Sequence, residues 1–149
     1  MEMYLTPIGF VKNSIKEPKR EDWQTVTSEI IINENLKEAL SRIDEFSHII
    51  VIYWMHKVSP SQRSIRKVHP KANPDLPLVG VFANRSPARP NPIGVTTVKL
   101  LERRDNVLKV IGLDAVDGTP VLDIKPYIPG NDSSTEAKTP GWLTKYWLS

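Results

Sequence analysis

The sequence predicts a mainly β protein: a small antiparallel β-barrel with one packed helix and no Rossmann fold. Short apolar or alternating runs dominate, and they do not alternate regularly with helices as a doubly wound α/β fold requires. None of the spacings between the seven glycines gives a dinucleotide-binding or phosphate-loop pattern. These observations favour a sheet that curls on itself, with a helix packed outside.

The predicted elements follow from local composition, in chain order. Residues 4–11 form a first strand with a proline near its start, which a sheet edge tolerates, and a polar loop follows over 12–25. Apolar side chains between Leu36 and Ile43 recur at helical spacing after an asparagine that can cap a helix. The β-branched and aromatic run 46–54 predicts a central, buried strand. Further strands are predicted over 27–32, 79–82, 95–101, 107–113 and 121–124.

Turn chemistry separates the later strands. Asp105-Asn106 closes a predicted hairpin, and Asp117-Gly118-Thr119-Pro120 is a second turn signal. The tail 126–138 is rich in turn residues and is expected to be irregular. The chain then ends in an apolar stretch that needs a covering surface, either the body of the domain or a second subunit. Its aromatic residues are Trp142, Tyr146 and Trp147.

Length and composition indicate one globular domain over residues 1–149, with 40% hydrophobic and 25% charged residues. Cysteine is absent, which excludes disulfides, a thiolate nucleophile and a cysteine zinc site. The three histidines are not at ligand spacing on one helix, so no metal is expected. The N-terminus lacks a signal-peptide pattern and the longest apolar run is too short to span a bilayer. We therefore expect a cytoplasmic protein without a membrane partner.

The net charge of +3 is unevenly distributed along the chain. The stretch from Lys57 through Lys71 contains six Lys, Arg or His residues, its two ends included, and no acidic one, and it is predicted to be a long loop. One interpretation is an arm that follows the phosphates of a nucleic acid. The other is a solvated basic loop, which is the commoner role of an isolated charge run.

The most informative segment is rich in proline. It reads Ala83-Asn84-Arg85-Ser86-Pro87-Ala88-Arg89-Pro90-Asn91-Pro92-Ile93. Its three prolines exclude a helix or a central strand. Each proline also favours an extended backbone at the residue before it. The loop should therefore hold Arg85 and Arg89 in few orientations. No acidic residue between Asp75 and Glu102 neutralises them. One interpretation is that these guanidinium groups bind a carboxylate or phosphate through two hydrogen bonds. An equally good interpretation is that the segment is a rigid connector whose arginines form ion pairs with distant carboxylates.

Acid–base candidates lie after the central strand and around the Asp-Gly turn. His56 follows the buried strand and precedes the basic stretch, where sites often form, although a lone histidine is more often structural. Asp114, Asp117 and Asp123 flank the turn, so two of their carboxylates can share a small volume. Aspartate before glycine also serves turn geometry alone.

Read together, three segments resemble the TsaA-like family, also called TrmO. They are FSHIIVIYWMH, GVFANRSPARPNPIGVTTVKL and DGTPVLDIKPYIP, in that order within residues 7–130. The resemblance implies a small antiparallel barrel, commonly a homodimer, with an S-adenosylmethionine site that is not of the Rossmann type. Members with known activity methylate N6 of threonylcarbamoyl-adenosine beside the anticodon of tRNA.

The resemblance also implies which residues contact S-adenosylmethionine. They are His56, Lys57, Val58, Arg85, Val95, Val116, Asp117, Gly118 and Thr119. A further family contact comes from the first loop, where this sequence lacks the matching tripeptide and leaves Arg20 and Gln24 as candidates. Asp117 or His56 is expected to accept the proton that the N6 nitrogen loses. The tRNA contacts are assigned to the basic residues Arg63, Arg66, Lys67 and Arg89.

Two other functions fit the sequence. Larger family members carry a further C-terminal domain, and a shortened member is expected to be able to methylate another nucleobase or a small molecule. A non-catalytic RNA-binding barrel would use the basic stretch and need no cofactor. Binding of S-adenosylmethionine separates the methyltransferases from the RNA-binding module.

Overall fold

The computed structural model describes residues 1–18 and 22–147, the last three by their backbone only. The chain forms two compact units. The first comprises Met1–Lys57 and Ile93–Tyr127, and the second comprises Val58–Pro92 with the C-terminal residues from Ile128 onward. The first unit holds a closed barrel, and the second holds a two-stranded sheet and nearly all of the proline-rich loop.

A closed antiparallel barrel forms the first unit and confirms the predicted fold class. The strands of the described chain are β1 (Gly9–Lys12), β2 (Thr27–Ile32), β3 (His48–Trp54), β4 (Lys67–Val68), β5 (Val79–Gly80), β6 (Ile93–Arg104), β7 (Val107–Ile111) and β8 (Pro120–Pro126). Around the barrel the order of neighbours is β1, β2, β7, β6, β3 and β8. The β6–β7 hairpin turns at Asp105-Asn106, as predicted, with Asp105 at a φ of 56°.

Alternation along the strands fills the barrel with apolar side chains. In β2, every second residue is buried, and Ile30 is fully inaccessible to solvent. Ile49 and Val51 of β3 and Leu108 of β7 are equally inaccessible. Because these side chains are removed from water, their burial supplies the main driving force for folding of the unit.

The β3–β6 contact requires a glycine at position 94. Gly94 pairs with Tyr53 across the two strands. The Tyr53 side chain is 3% exposed. A Cβ atom at position 94 would overlap the Tyr53 ring. The hydroxyl of Tyr53 also lies 2.9 Å from Thr96 Oγ1, so the ring has little room to move.

We therefore expect Gly94→Ala to lower the free energy of unfolding by about 1–3 kcal/mol, the usual cost of overpacking a core. Urea denaturation followed by circular dichroism measures the change. The matched control is Thr97→Ala, since Thr97 lies on the same strand with an exposed side chain. Equal stability of the two variants would show that the ring can shift to accept the extra methyl group.

Two predictions in the first unit were wrong. The first strand begins at Gly9 rather than at residue 4, because residues 1–6 are exposed and Pro7 has no amide hydrogen for a ladder. In place of an α-helix, the chain forms two 3₁₀ helices, Glu34–Leu40 and Ile43–Glu45. Arg42 separates them at a φ of 70°, and only Leu40 of the first is buried, so little packing favours a longer helix.

The second unit has more regular structure than predicted. The stretch 57–71 is not one long loop, because it contains α1 (Pro60–Arg63) and β4. Ser59 begins α1 with a capping box that it shares with Gln62. The strand predicted over 79–82 ends at Gly80 and continues as a 3₁₀ turn over Val81–Ala83. The tail contains α2 (Pro129–Asp132) and α3 (Gly141–Trp147), with irregular backbone between them. The side chains of Tyr146 and Trp147 lie outside the described residues.

Candidate functional site

The first loop, the Asp-Gly turn and the end of β3 meet at one edge of the barrel. Lys16 Nζ lies 2.7 Å from Asp117 Oδ2, and the Asp117 amide donates to the Ile15 carbonyl at 2.7 Å. Lys57 Nζ donates to the Lys16 carbonyl at 2.6 Å. Three segments that were predicted to bind the cofactor therefore lie together. We call Asn13, Lys16, Lys57 and Asp117 the barrel-edge cluster.

Asn13 is the centre of this cluster, although no role was predicted for it. Its side-chain Nδ2 donates to Ser28 Oγ and to the Ala115 carbonyl, both at 2.9 Å. Its Oδ1 accepts the Ile15 amide at 2.9 Å, and its own amide donates to Asp117 Oδ1 at 3.0 Å. One half-buried residue thus ties the loop to the turn and to the barrel wall.

Asp117 is an ionised anchor. Hydrogen bonds from Lys16 and from the Asn13 amide, in that order, lower the pKa of its carboxyl group below the ordinary value of 3.8. Because the folded pKa is lowered, the interaction stabilises the fold above that ordinary value and is lost as the pH falls through the lowered one. Both carboxylate oxygens are engaged, and a carboxylate of low pKa is a weak base.

The turn presents hydrogen-bond acceptors. The amides of Asp117, Gly118 and Thr119 donate to the carbonyls of Ile15, Val11 and Val116, respectively. The Thr119 hydroxyl also donates to the Val116 carbonyl, and both side chains are buried. In the described part of the chain, the carbonyl oxygens of Asp117 and Gly118 accept no hydrogen bond. A ligand at this turn must therefore supply donors, such as amino or hydroxyl groups.

His56 lies immediately before Lys57 and carries a neutral imidazole at pH 7. Partial burial first, and then the positive charge of Lys57, lower the pKa of His56 below 6.5. The residue as a whole remains exposed, and its ring has no hydrogen-bond partner among the described residues. A neutral, accessible imidazole can accept a proton.

The three aspartates near the turn have separate environments. Burial raises the pKa of Asp114, whereas the pKa of Asp117 is lowered as described above. Asp123 Oδ2 pairs with Lys125 Nζ at 3.1 Å. The sequence suggested that two of these carboxylates share a small volume, but Asp117 and Asp123 each pair with a different lysine.

In the second unit, the two arginines of the proline-rich loop have different roles. Arg89 Nη2 donates to the carbonyls of Val81 at 3.0 Å and Asn84 at 3.3 Å, and its Nη1 lies 3.4 Å from the Ser86 carbonyl. Arg89 therefore fixes the loop from inside. The exposed guanidinium of Arg85 has no partner among the described residues, so it is available to an anion.

The predicted RNA-binding residues also lie in the second unit. Arg63 Nε donates to the Pro90 carbonyl at 2.7 Å, and Arg66 Nη1 donates to the Arg63 carbonyl at 3.0 Å. The Arg66 guanidinium keeps further N–H donors for a ligand. Lys67 lies in β4, and its ammonium has no partner among the described residues.

The remaining predicted cofactor residues differ in accessibility. Val95 is 60% exposed on the outer wall of β6, whereas Val58 of the second unit is half-buried. Gln24 is exposed in the 3₁₀ turn Trp23–Thr25. Arg20 lies outside the described residues.

A groove of about 680 Å³ lies on the outer wall of the barrel, and its lining includes Asn13 of the barrel-edge cluster but none of the predicted site residues. It is lined by residues of β1, β2, β6 and β7 and by the start of the first loop. Charges of opposite sign are cross-strand neighbours there, because Glu29 pairs with both Lys12 and Lys109. This alternation makes the groove an ordinary solvated sheet surface.

Within residues 1–18 and 22–147, no group of His, Asp or Glu side chains is arranged to hold a metal ion. In the same described ranges, no helix combines the length and the apolarity that crossing a membrane requires.

The closed barrel places the chain in a class of folds that includes solved methyltransferase structures. The crystal structure of TrmO from Pseudomonas aeruginosa matches with a TM-score of 0.73 and 29% identity, over 93% of this chain and 62% of that one. The family model for the tRNA-methyltransferase O N-terminal domain matches residues 11–133. The chain therefore belongs to the tRNA-methyltransferase O family, which confirms the resemblance read from the sequence.

Curated relatives show the same relationship. An S-adenosyl-L-methionine-binding protein of Archaeoglobus fulgidus is 44% identical over 134 residues, covering 87% of this chain and 93% of the relative. A probable S-adenosyl-L-methionine-binding protein of Pyrococcus abyssi is 40% identical over 145 residues, covering 93% of this chain and 75% of the relative. The mouse tRNA (adenine(37)-N6)-methyltransferase is 40% identical over 102 residues, which are 68% of this chain but 23% of that protein.

Proposed function

We propose that this protein is an S-adenosylmethionine-dependent methyltransferase that acts on adenine N6 in tRNA, at threonylcarbamoyl-adenosine next to the anticodon. The observation that carries the proposal is the family match over residues 11–133. Relatives that are named for S-adenosylmethionine binding support the cofactor, and the mouse relative supports the class of substrate. The threonylcarbamoyl group is the finer part of the proposal and rests on the sequence resemblance. A cytoplasmic homodimer is proposed on the same ground.

The available groups fit the proposed cofactor chemically. The free carbonyls of Asp117 and Gly118 can accept hydrogen bonds from the amino group of an adenosine or from ribose hydroxyls. The unpaired guanidinium of Arg85 suits an α-carboxylate, which it can bind through two parallel hydrogen bonds. These candidate residues belong to different units of the chain, so we test each group separately.

The residues of the chain then have separate tasks in the reaction. When bound, S-adenosylmethionine supplies a methyl group that its sulfonium already activates, so the protein mainly has to position the reactants. The barrel-edge cluster fixes the turn and the first loop. His56 accepts the proton that leaves N6, because its imidazole is neutral and free. Asp117 is the weaker candidate for this step, since its carboxylate is fully engaged.

This assignment predicts a pH dependence. If neutral His56 is the base, kcat/KM should rise with pH along a limb whose midpoint lies below pH 6.5, because the pKa of His56 is lowered. A methyl-transfer assay between about pH 5 and about pH 8 measures this limb. His56→Gln should remove the limb and reduce the rate. Lys57→Met should move the limb to higher pH, because it removes a charge that lowers the pKa of His56. An unchanged limb in His56→Gln would contradict the assignment.

The activity itself is tested with tRNA that carries threonylcarbamoyl-adenosine. After incubation with the protein and S-adenosylmethionine, nucleoside mass spectrometry should show the modified adenosine with one added methyl group. Unmodified tRNA and a pool of metabolites, incubated with labelled cofactor, are the controls for another substrate. Label in either of these, with none in threonylcarbamoyl-adenosine, would overturn the proposed substrate.

A non-catalytic RNA-binding barrel is the second candidate, and the charge of the second unit favours it. Segment Val58–Pro92 carries six Lys or Arg residues and a single Asp. Calorimetry with S-adenosylmethionine separates the two functions. Micromolar binding that Arg85→Ala abolishes supports the enzyme, whereas RNA binding without cofactor binding supports the module.

A further inference from the structure

The second unit contains an aromatic side chain that is highly exposed to solvent. Phe82 is 82% exposed, more than any other large hydrophobic side chain described in that unit. It lies in the 3₁₀ turn Val81–Ala83, directly after Val81, which is 2% exposed. A single exposed apolar side chain is common on protein surfaces, so a binding role for Phe82 has to be argued from the residues around it.

The backbone that carries Phe82 is held on both sides. The amide of Val81 donates to the Arg66 carbonyl at 3.0 Å, and the carbonyl of Val81 accepts from Arg89 Nη2 at 3.0 Å. On the other side, the Asn84 carbonyl accepts from the same guanidinium nitrogen at 3.3 Å. The ring is therefore displayed from an ordered turn. An aromatic side chain on a held backbone has only two rotatable bonds, so it loses little conformational entropy when it binds a flat partner.

Positive charge flanks the ring. Segment Val58–Pro92 contains six Lys or Arg residues against one Asp, although the whole chain has a net charge of only +3. Gly80, two residues before Phe82, pairs with Lys67 in the β4–β5 ladder. Arg66 contributes the carbonyl that binds the turn. An exposed aromatic ring among cations is the usual arrangement for single-stranded nucleic acid, since bases stack on the ring and phosphates bind the cations.

We propose that Phe82 is a stacking platform for an unpaired nucleobase of the RNA substrate, with Lys67 and Arg66 neutralising the neighbouring phosphates. This inference rests on the proposed function and adds to it the residue that holds a base outside a duplex. An RNA loop supplies such bases, whereas a regular RNA helix keeps its bases stacked and out of reach.

The test compares Phe82→Ala with Phe82→Trp by fluorescence anisotropy, using a labelled single-stranded anticodon-loop oligonucleotide and an RNA duplex of the same composition. Phe82→Ala should weaken single-strand binding by about 10-fold or more and leave duplex binding nearly unchanged. Phe82→Trp should retain single-strand binding. The matched control is Tyr4→Ala, because Tyr4 is an aromatic residue that is 88% exposed but lies outside the basic segment.

Two further measurements separate other uses of the ring. Calorimetry of Phe82→Ala with S-adenosylmethionine should give the wild-type affinity, and an equal loss of cofactor and RNA binding would place the ring in cofactor binding instead. Sedimentation should show an unchanged oligomeric state, and dissociation with intact RNA binding would show that the ring covers a second copy. Single-strand binding of Phe82→Ala equal to wild type would also overturn the inference.

The proposed function can fail independently of this inference. If the protein transfers no methyl group but its single-strand binding depends on Phe82, the stacking role stands and the proposed methyltransferase function is wrong. If the protein transfers the methyl group and Phe82→Ala binds RNA with normal affinity, the methyltransferase function stands and the stacking role is wrong.

Discussion

Substitution of Arg85 by alanine is expected to weaken S-adenosylmethionine binding by about 10- to 100-fold, the effect of losing one or two hydrogen bonds to a charged group. The thermal midpoint should hardly change, because the Arg85 side chain is exposed and has no partner among the described residues. Arg85→Lys should recover only part of the affinity, since an ammonium group keeps the charge but cannot bind a carboxylate through a planar fork. Calorimetry gives the affinity, and differential scanning calorimetry gives the midpoint.

The neighbouring arginine provides the matched control and the opposite expectation. Arg89→Ala removes the hydrogen bonds to the Val81, Asn84 and Ser86 carbonyls and should lower stability by about 1–3 kcal/mol. Any loss of cofactor affinity should then come with faster amide hydrogen exchange in the loop. If Arg85→Ala lowered the midpoint as much as Arg89→Ala while cofactor affinity stayed at the wild-type level, the division of roles between the two arginines would be wrong.

The strands could be predicted because their signal is local. Alternating or β-branched runs mark β2, β3, β6 and β7, and the lack of regular helices between such strands favours an antiparallel sheet that curls on itself. The 3₁₀ helices were missed because apolar spacing alone does not distinguish them from an α-helix. Capping residues identify α1, but four residues are too short for a periodic pattern.

The candidate site could be predicted only as a set of segments. Composition identified the proline-rich loop, but the carbonyls that engage Arg89 and leave Arg85 free are a consequence of how the loop folds. Asn13 gave no signal, because its decisive partners, Ala115 and Asp117, lie more than a hundred residues away. The pKa of His56 likewise depends on burial that the sequence does not reveal.

Asn13→Ala should have the largest effect of any single change in the barrel-edge cluster. It removes three side-chain hydrogen bonds and deprives the buried Ser28 hydroxyl of its Asn13 partner. We expect a loss of about 2–4 kcal/mol in stability and a weakening of S-adenosylmethionine binding by about 10-fold, because the first loop and the turn are no longer held together. Asn13→Asp should lower stability at least as much, since aspartate lacks the two N–H donors and places a second carboxylate beside Asp117.

Ser14→Ala is the matched control for this experiment, because Ser14 is the exposed neighbour of Asn13 in the same loop. Denaturant unfolding reports stability, and calorimetry reports cofactor affinity. The two readouts must fall together, since the cluster is argued to act by positioning the turn rather than by touching the ligand. Cofactor affinity is measured at a temperature where Asn13→Ala is fully folded. If this variant is less stable than wild type but binds the cofactor with wild-type affinity, the first loop has no part in cofactor binding.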